Sequence, residues 1–286
     1  MKESNMKIFH QVPIRMMDKI PFHPRSHFVY VFAHLFTEDG EYRSIAERLI
    51  EKGRYKTILY LDNGGYVGEP LPLDTLVRLA KDHDFSYVAV PDWPFKVGDS
   101  LRAFLDAADR YPELLDEDSP NQFAVYIHAL SLRDVDQWIR ALEEANFEGC
   151  ISVPAHAPLR EMCEVCKVRC DDEAKILCCE LARRIIISRI NEARPGQLIH
   201  SAGIRNFTVF VDTVRMLNVD LVDTTLAYKY AAFGVQFDET LPRMSGNIFY
   251  AKYRNVDMVI KNIYLSLIHI SEPTRPRLIS YAVFCL

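Results

Sequence analysis

The chain has 286 residues, 49% hydrophobic and 26% charged, and its 34 basic and 39 acidic side chains give a net charge of −5. That length and apolar share suit one large α/β barrel or two smaller domains with a full core. The acidic balance excludes a protein that simply coats nucleic acid, because non-specific binding is mostly phosphate neutralisation by Lys and Arg. Arg183, Arg184, Arg189, Arg194 and Arg205 offer a local basic groove, although such a run also reads as a solvated helix face. No apolar run reaches the roughly 18 residues of a bilayer span, and Met1 to Gln11 carries charges where a secretion signal needs an apolar stretch. A soluble, cytoplasmic protein is expected. The seven cysteines are an odd number, five of them between Cys163 and Cys179, which reads as reduced thiols and not as a disulfide framework.

In chain order, short runs rich in β-branched and aromatic residues alternate with amphipathic segments of helical length. Strand Phe28 to Ala33 precedes helix Tyr42 to Lys52, and strand Thr57 to Leu61 precedes helix Leu73 to Lys81. Tyr87 to Val90 is followed by Ser100 to Arg110, Phe123 to Ile127 by Leu132 to Ala145, and Cys150 to Val153 by Leu159 to Asn191. Gln197 to His200 leads to Asn206 to Leu217, and Asp220 to Val222 is the seventh strand. No Gly-, Ser- or Pro-rich linker interrupts the series. The expectation is a single parallel (β/α)8 barrel of the TIM type, with a doubly wound open sheet as the alternative. Seven strands leave closure undecided.

Polar residues recur where these strands end: Asp62 after ILYL, Asp92 after VAVP, His128 after AVYI, Ser201 after LIH and Asp223 after DLV. Loops leaving the strand C-termini carry the active site in parallel barrels, so this alignment points to catalysis. In LYLDNGGYVGE, Asp62 and Asn63 precede Gly64 and Gly65, whose missing Cβ atoms permit a sharp turn and close approach of a planar ligand to the backbone. Tyr66 then offers an aromatic face. Asp-Asn-Gly clusters are also ordinary turn formers, and Asp223 before Thr224 and Leu226 also suits a helix N-cap.

With DNGGY, VPD and VDTTLAYKYA in order, the chain resembles the tRNA-guanine transglycosylase superfamily from about His34 to Tyr230. HFVYVFAHL and LDNGGY look closer to the phage-type deazapurine DNA transglycosylases. The resemblance implies that Asp223 is the nucleophile and Asp62 the general acid and base. It further implies a base-reading carboxylate at Asp92, base contacts at Gly149 and along Ser201, Ala202 and Gly203, and stacking on Tyr66. His128 and Ala129 stand where the family has Gln-Gly, and under this reading His128 touches the base edge. The implied reaction exchanges guanine in DNA, or alternatively tRNA, for a 7-deazaguanine such as preQ0, with no cofactor, in the cytoplasm of a host cell if the protein is phage-encoded. The alternatives are a barrel hydrolase or isomerase acting on a small sugar or amidine, and a catalytically silent subunit that binds nucleic acid.

Cys163, Cys166 and Cys170 follow a C-x₂-C-x₃-C spacing open to zinc, but they also share one helix face, and packing is the cheaper explanation; no metal is expected. Leu265 to Arg275, reading LSLIHISEPTR, resembles a translated sequencing-library adapter and is set aside from fold reasoning. This divides the chain into a single barrel domain over residues 1–264, expected to be truncated at its C-terminus, and a non-native tail over 265–286. Residues 1–264 retain 32 basic and 38 acidic side chains, a net charge of −6.

Overall fold

The structure, a computed structural model, describes residues 6–17, 19–20, 22–23, 27–65, 68–155, 159, 172–204, 218–232 and 256–271. Its eight strands are β1 (Lys7–His10), β2 (Val29–Phe32), β3 (Leu59–Asp62), β4 (Tyr87–Ala89), β5 (Gln122–Tyr126), β6 (Cys150–Val153), β7 (Ile199–Ile204) and β8 (Leu221–Thr224). They form one parallel sheet in the order β1-β8-β7-β6-β5-β4-β3-β2. The gap between its ends is spanned by a parallel bridge from Ile8 to His27, just ahead of β2. The fold is therefore a (β/α)8 TIM-type barrel. The strand missing from the sequence pattern is β1, which lies at the N-terminus, pairs with β8 through Ile8 and Val222, and closes the ring.

The helices α1 (Ile14–Met17), α2 (Ala33–Glu38), α3 (Gly40–Gly53), α4 (Leu73–Asp82), α5 (Val97–Arg110), α6 (Leu132–Glu144), α7 (Asp172–Ala193), α8 (Leu226–Ala232) and α9 (Val256–Ser271) accompany the strands. Short polar side chains start two of them: Asp39 accepts from the Tyr42 amide at 2.9 Å ahead of α3, and Ser131 accepts from the Asp134 amide at 3.3 Å ahead of α6. These bonds satisfy amides that have no partner inside the helix. The predicted helix Asn206 to Leu217 lies outside the described residues, as do Cys163, Cys166 and Cys170. Helix α9 is anchored by Asn262, whose side-chain amide donates to the Ala227 carbonyl at 3.1 Å, and it runs on into the adapter-like stretch as far as Ser271. Among the described residues, no helix is long and apolar enough to cross a membrane.

Alternation along each strand sorts the side chains into two cores. Val29, Val31, Leu59, Leu61, Val125, Ile151 and Val222 face outward and join the helices in the main hydrophobic core. Phe28, Tyr30, Tyr60, Ala89, Ala124, Tyr126 and Cys150 face inward and fill the barrel. Ala89 and Ala124 are neighbours in register on β4 and β5, and their small side chains leave room for the tyrosines on either side. The interior is thus crowded with phenol hydroxyls, and its upper layer carries the polar residues that leave the strands.

Candidate active site

Asp62 is the last residue of β3 and is buried, as is Asp223 on β8. Both share the inward face of the barrel at its C-terminal end. Asp62 Oδ2 accepts from the hydroxyls of Tyr30 at 2.6 Å and Tyr126 at 3.0 Å, and Oδ1 accepts from the Gly64 amide at 2.8 Å. Burial nevertheless dominates and pushes the carboxyl up to about 6, with nearby Asp92 adding to the rise while the hydrogen bonds oppose it. The side chain is thereby poised to gain and lose a proton near neutral pH. Burial also raises Tyr30, Tyr60 and Tyr126 well above the ordinary tyrosine range, so these groups act as neutral hydroxyls.

Asp223 is held by three donors. Gln11 Nε2 reaches Oδ2 at 2.6 Å, while His200 Nε2 at 2.9 Å and the Gly203 amide at 2.8 Å reach Oδ1. Behind His200, Nδ1 lies 3.1 Å from Ser152 Oγ, which is in turn 2.8 Å from the Tyr60 hydroxyl. Tyr30 sits between the two acids: its ring stacks on Tyr60 at 5.0 Å and on Phe9 at 5.7 Å, and both carboxyls act on its hydroxyl.

The Asn63-Gly64-Gly65 turn is built for close packing. Gly64 has φ +84°, and a Cβ there would lie 2.6 Å from His34 Nδ1; a Cβ on Gly65 would lie 2.2 Å from the Asp92 carbonyl oxygen. Asn63 is fully occupied within the protein: its amide nitrogen donates to Asp92 Oδ1 at 2.6 Å and to the Val90 carbonyl, and its oxygen accepts from the Gly65 amide at 2.7 Å. It therefore orients Asp92 and does not face the mouth as a free ligand. The other Asp92 oxygen pairs with His128 Nε2, and the His128 carbonyl is fixed by the Trp138 indole at 3.0 Å. Asp92 and His128, predicted as independent base contacts, form one buried pair in this state.

Two predicted contacts are corrected by strand geometry. Gly149 precedes β6 and so lies at the N-terminal mouth, opposite the acids; a Cβ there would lie 2.1 Å from the Phe123 carbonyl oxygen, so its absence makes room for that strand. Ser201 is fully buried and alternates to the helix side of β7, since His200 and Ala202 take the inward positions. Its neighbours keep a role near the site. Gly203, at φ +70°, directs its amide at Asp223, and the Ala202 carbonyl accepts from Arg183 Nη1 at 3.0 Å. Tyr66 lies outside the described residues.

The predicted basic groove also changes character. Arg183 is buried and ion-paired with Glu180, with Asp223 close enough to act on it. Arg189 pairs with Asp136 at 2.5 Å, and Arg194 bonds Gln197 at 3.0 Å and the Phe147 carbonyl. These three side chains are committed to the protein itself; Arg205 lies outside the described residues. No cluster of metal-ligand type occurs among the described residues.

Composition and motif spacing overlooked Tyr30, Tyr60, Tyr126, Ser152, His200 and Gln11. A signal for the tyrosines was present: Tyr60 and Tyr126 each stand two residues before Asp62 and His128, and residues two apart share a strand face. No local pattern marks Gln11, which meets Asp223 only because β1 and β8 are neighbours.

No protein-family model matches the chain, and no curated protein matches it significantly. Among solved structures, it is similar to the carboxyl transferase domain of Rhizobium etli pyruvate carboxylase with pyruvate, at 14% identity and a TM-score of 0.47, over 94% of this chain and 49% of that one. The chain thus spans about half the length of that structure.

Proposed function

We propose that the protein is a base-exchange transglycosylase that replaces guanine in nucleic acid, DNA in preference to tRNA, with a 7-deazaguanine such as preQ0. The observation that carries this reading is the pair of buried inward-facing acids in unlike settings: Asp62 raised to about 6, and Asp223 pinned by three donors. Reactions that need one acid and one anion use two carboxyls whose environments separate their roles. The target nucleotide is extruded, because its anomeric carbon is inaccessible within a duplex. Asp223 attacks C1′, the bond from C1′ to guanine breaks, and Asp62 gives its proton to the departing base. A glycosyl ester on Asp223 remains. The incoming 7-deazaguanine surrenders a proton to Asp62 and attacks C1′, releasing Asp223 as a carboxylate.

Asp92 and His128 suit recognition of the base edge by exchange. A base N–H displaces the His128 contact, and the freed imidazole turns to the base as a second partner. The cost of breaking the pair is recovered only by a base with donors at that spacing, which favours guanine-like edges.

The test is release of labelled guanine from DNA and, separately, from tRNA, each with preQ0, by the chain and by Asp223→Asn. Release from DNA that is abolished in a folded Asp223→Asn supports the reading, and release only from tRNA moves the substrate. Retained exchange in the variant refutes the role of Asp223. No release from either nucleic acid, with turnover of a small sugar or amidine, replaces the reading by the hydrolase or isomerase.

A further inference from the structure

Where β7 runs beside β8, two residues of one strand face one residue of the other. Ser201 pairs with Val222 and Ile204 with Thr224, so Ala202 and Gly203 together stand opposite Asp223. This is a β-bulge, a device that re-aims groups beside functional side chains. Thr224 fastens its far end, its hydroxyl donating to the Ile204 carbonyl at 2.8 Å. Gly203, at φ +70°, adopts the left-handed backbone that other residues resist.

The peptide group inside the bulge is held from both ends. Its carbonyl, from Ala202, accepts from Arg183 Nη1 at 3.0 Å, and its N–H, from Gly203, donates to Asp223 Oδ1 at 2.8 Å. In a trans peptide the C=O and N–H lie in one plane and point in opposite directions. Arg183 and Asp223 therefore flank a single rigid group, and a rotation that turns one end away turns the other as well. Charge is aligned too: the guanidinium meets the negative end of the peptide dipole, and the positive end is aimed at the carboxyl.

Arg183 is 1% exposed, and burial works against its charge, opposed first by Glu180 and then by Asp223. Glu180, one turn earlier on α7 and also buried, pairs with Arg183 Nη2. A buried ion pair of this kind contributes little net stability over apolar side chains of similar volume. Packing alone thus does not account for a guanidinium here, whereas a directed donor to the Ala202 carbonyl does.

We propose that Arg183 is a positioning residue for Asp223, acting through the Ala202–Gly203 peptide, with Glu180 fixing the guanidinium. This rests on reading Asp223 as the nucleophile, but the clamp itself is testable without turnover. In the base exchange it restrains the carboxyl in the orientation from which it attacks C1′, so its loss lowers kcat and leaves KM nearly unchanged.

The sequence contains one Ala-Gly dipeptide, residues 202–203. Labelling alanine carbonyls with ¹³C and glycine nitrogens with ¹⁵N therefore gives a single carbonyl–amide NMR correlation that reads both ends of the clamp in the full chain. In the unaltered chain the Gly203 amide should be protected from solvent exchange, and Asp223→Ala should remove that protection. Replacing both members of the buried pair, Glu180→Leu with Arg183→Met, deletes the donor without stranding a charge. Exchange of the Gly203 amide should then accelerate about tenfold, the loss of one net hydrogen bond, and both shifts should move. Arg183→Lys, which keeps a donor and the partner of Glu180, should restore most of the protection and of kcat. A Gly203 amide unprotected in the unaltered chain, or equally protected in the folded double variant, overturns the proposal. So does an unchanged kcat once the protection is lost. The expected NMR changes without guanine release by the unaltered chain remove the transglycosylase reading and leave the clamp standing.

Discussion

Replacement of Asp62 by Asn tests the electrostatics of the barrel interior through stability. Asp62 is raised from 3.8 to about 6 by burial. At about 1.4 kcal/mol per tenfold change in proton affinity, ionising it in the folded protein costs about 3 kcal/mol relative to the unfolded chain. Because the folded value lies above the unfolded one, the favourable contribution of Asp62 is complete below pH 3.8 and is lost as pH rises through about 6. Asparagine has the shape of the protonated acid, and its two N–H donors serve Tyr30 and Tyr126 in place of Oδ2. The variant therefore lacks this loss. Wild type alone does not reveal the effect, because His27 works in the opposite sense. Burial lowers His27 from 6.5 to about 4, so its contribution is present above 6.5 and lost as pH falls through about 4. The difference between wild type and Asp62→Asn cancels His27. Urea unfolding at pH 4 and pH 7.5 should show the variant gaining about 2.5 kcal/mol on wild type between the two, since a little of the effect is already lost at pH 4, roughly 5–10 °C in Tm for a chain of this size. A difference that is the same at both pH values refutes the reasoning.

Other substitutions check the geometry. Gly65→Ala puts a Cβ 2.2 Å from the Asp92 carbonyl oxygen; separating the two loops should cost about 2 kcal/mol or more in urea unfolding and displace Asp92 from His128. Stability equal to wild type means that the turn packs differently. Tyr55, 88% exposed and at φ 56°, occupies a left-handed position just beyond α3. Tyr55→Gly should therefore raise stability by about 1 kcal/mol, visible as a higher Tm, and a lower Tm contradicts that backbone assignment.

Seven strands and the two strand-end acids were legible in the sequence, because buried parallel strands read as compact apolar runs and the residue ending each run stands out. The alternation that puts Asp62 at the inner face also puts Tyr60 there, so part of the acid's surroundings followed from spacing two residues apart. The short strand β1 escaped detection: KIFH is too brief to show a period, and it is a strand only because the ring has a place for it beside β8.

What the sequence determined by itself was local: the alternating elements, the Gly-Gly turn, and acids where chains leave strands. What only tertiary structure decided was which groups meet. Gln11 reaches Asp223 across 212 residues, Tyr126 reaches Asp62 across 64, and His128 engages the Asp92 that sequence reading had left free. Gly149 and Ser201 were displaced from the site for the same reason: direction along a strand and side of a sheet are fixed when strands pair, and a motif's spacing contains neither. The raised proton affinity of Asp62 follows from those encounters, since burial and the groups around a carboxyl are properties of the closed barrel.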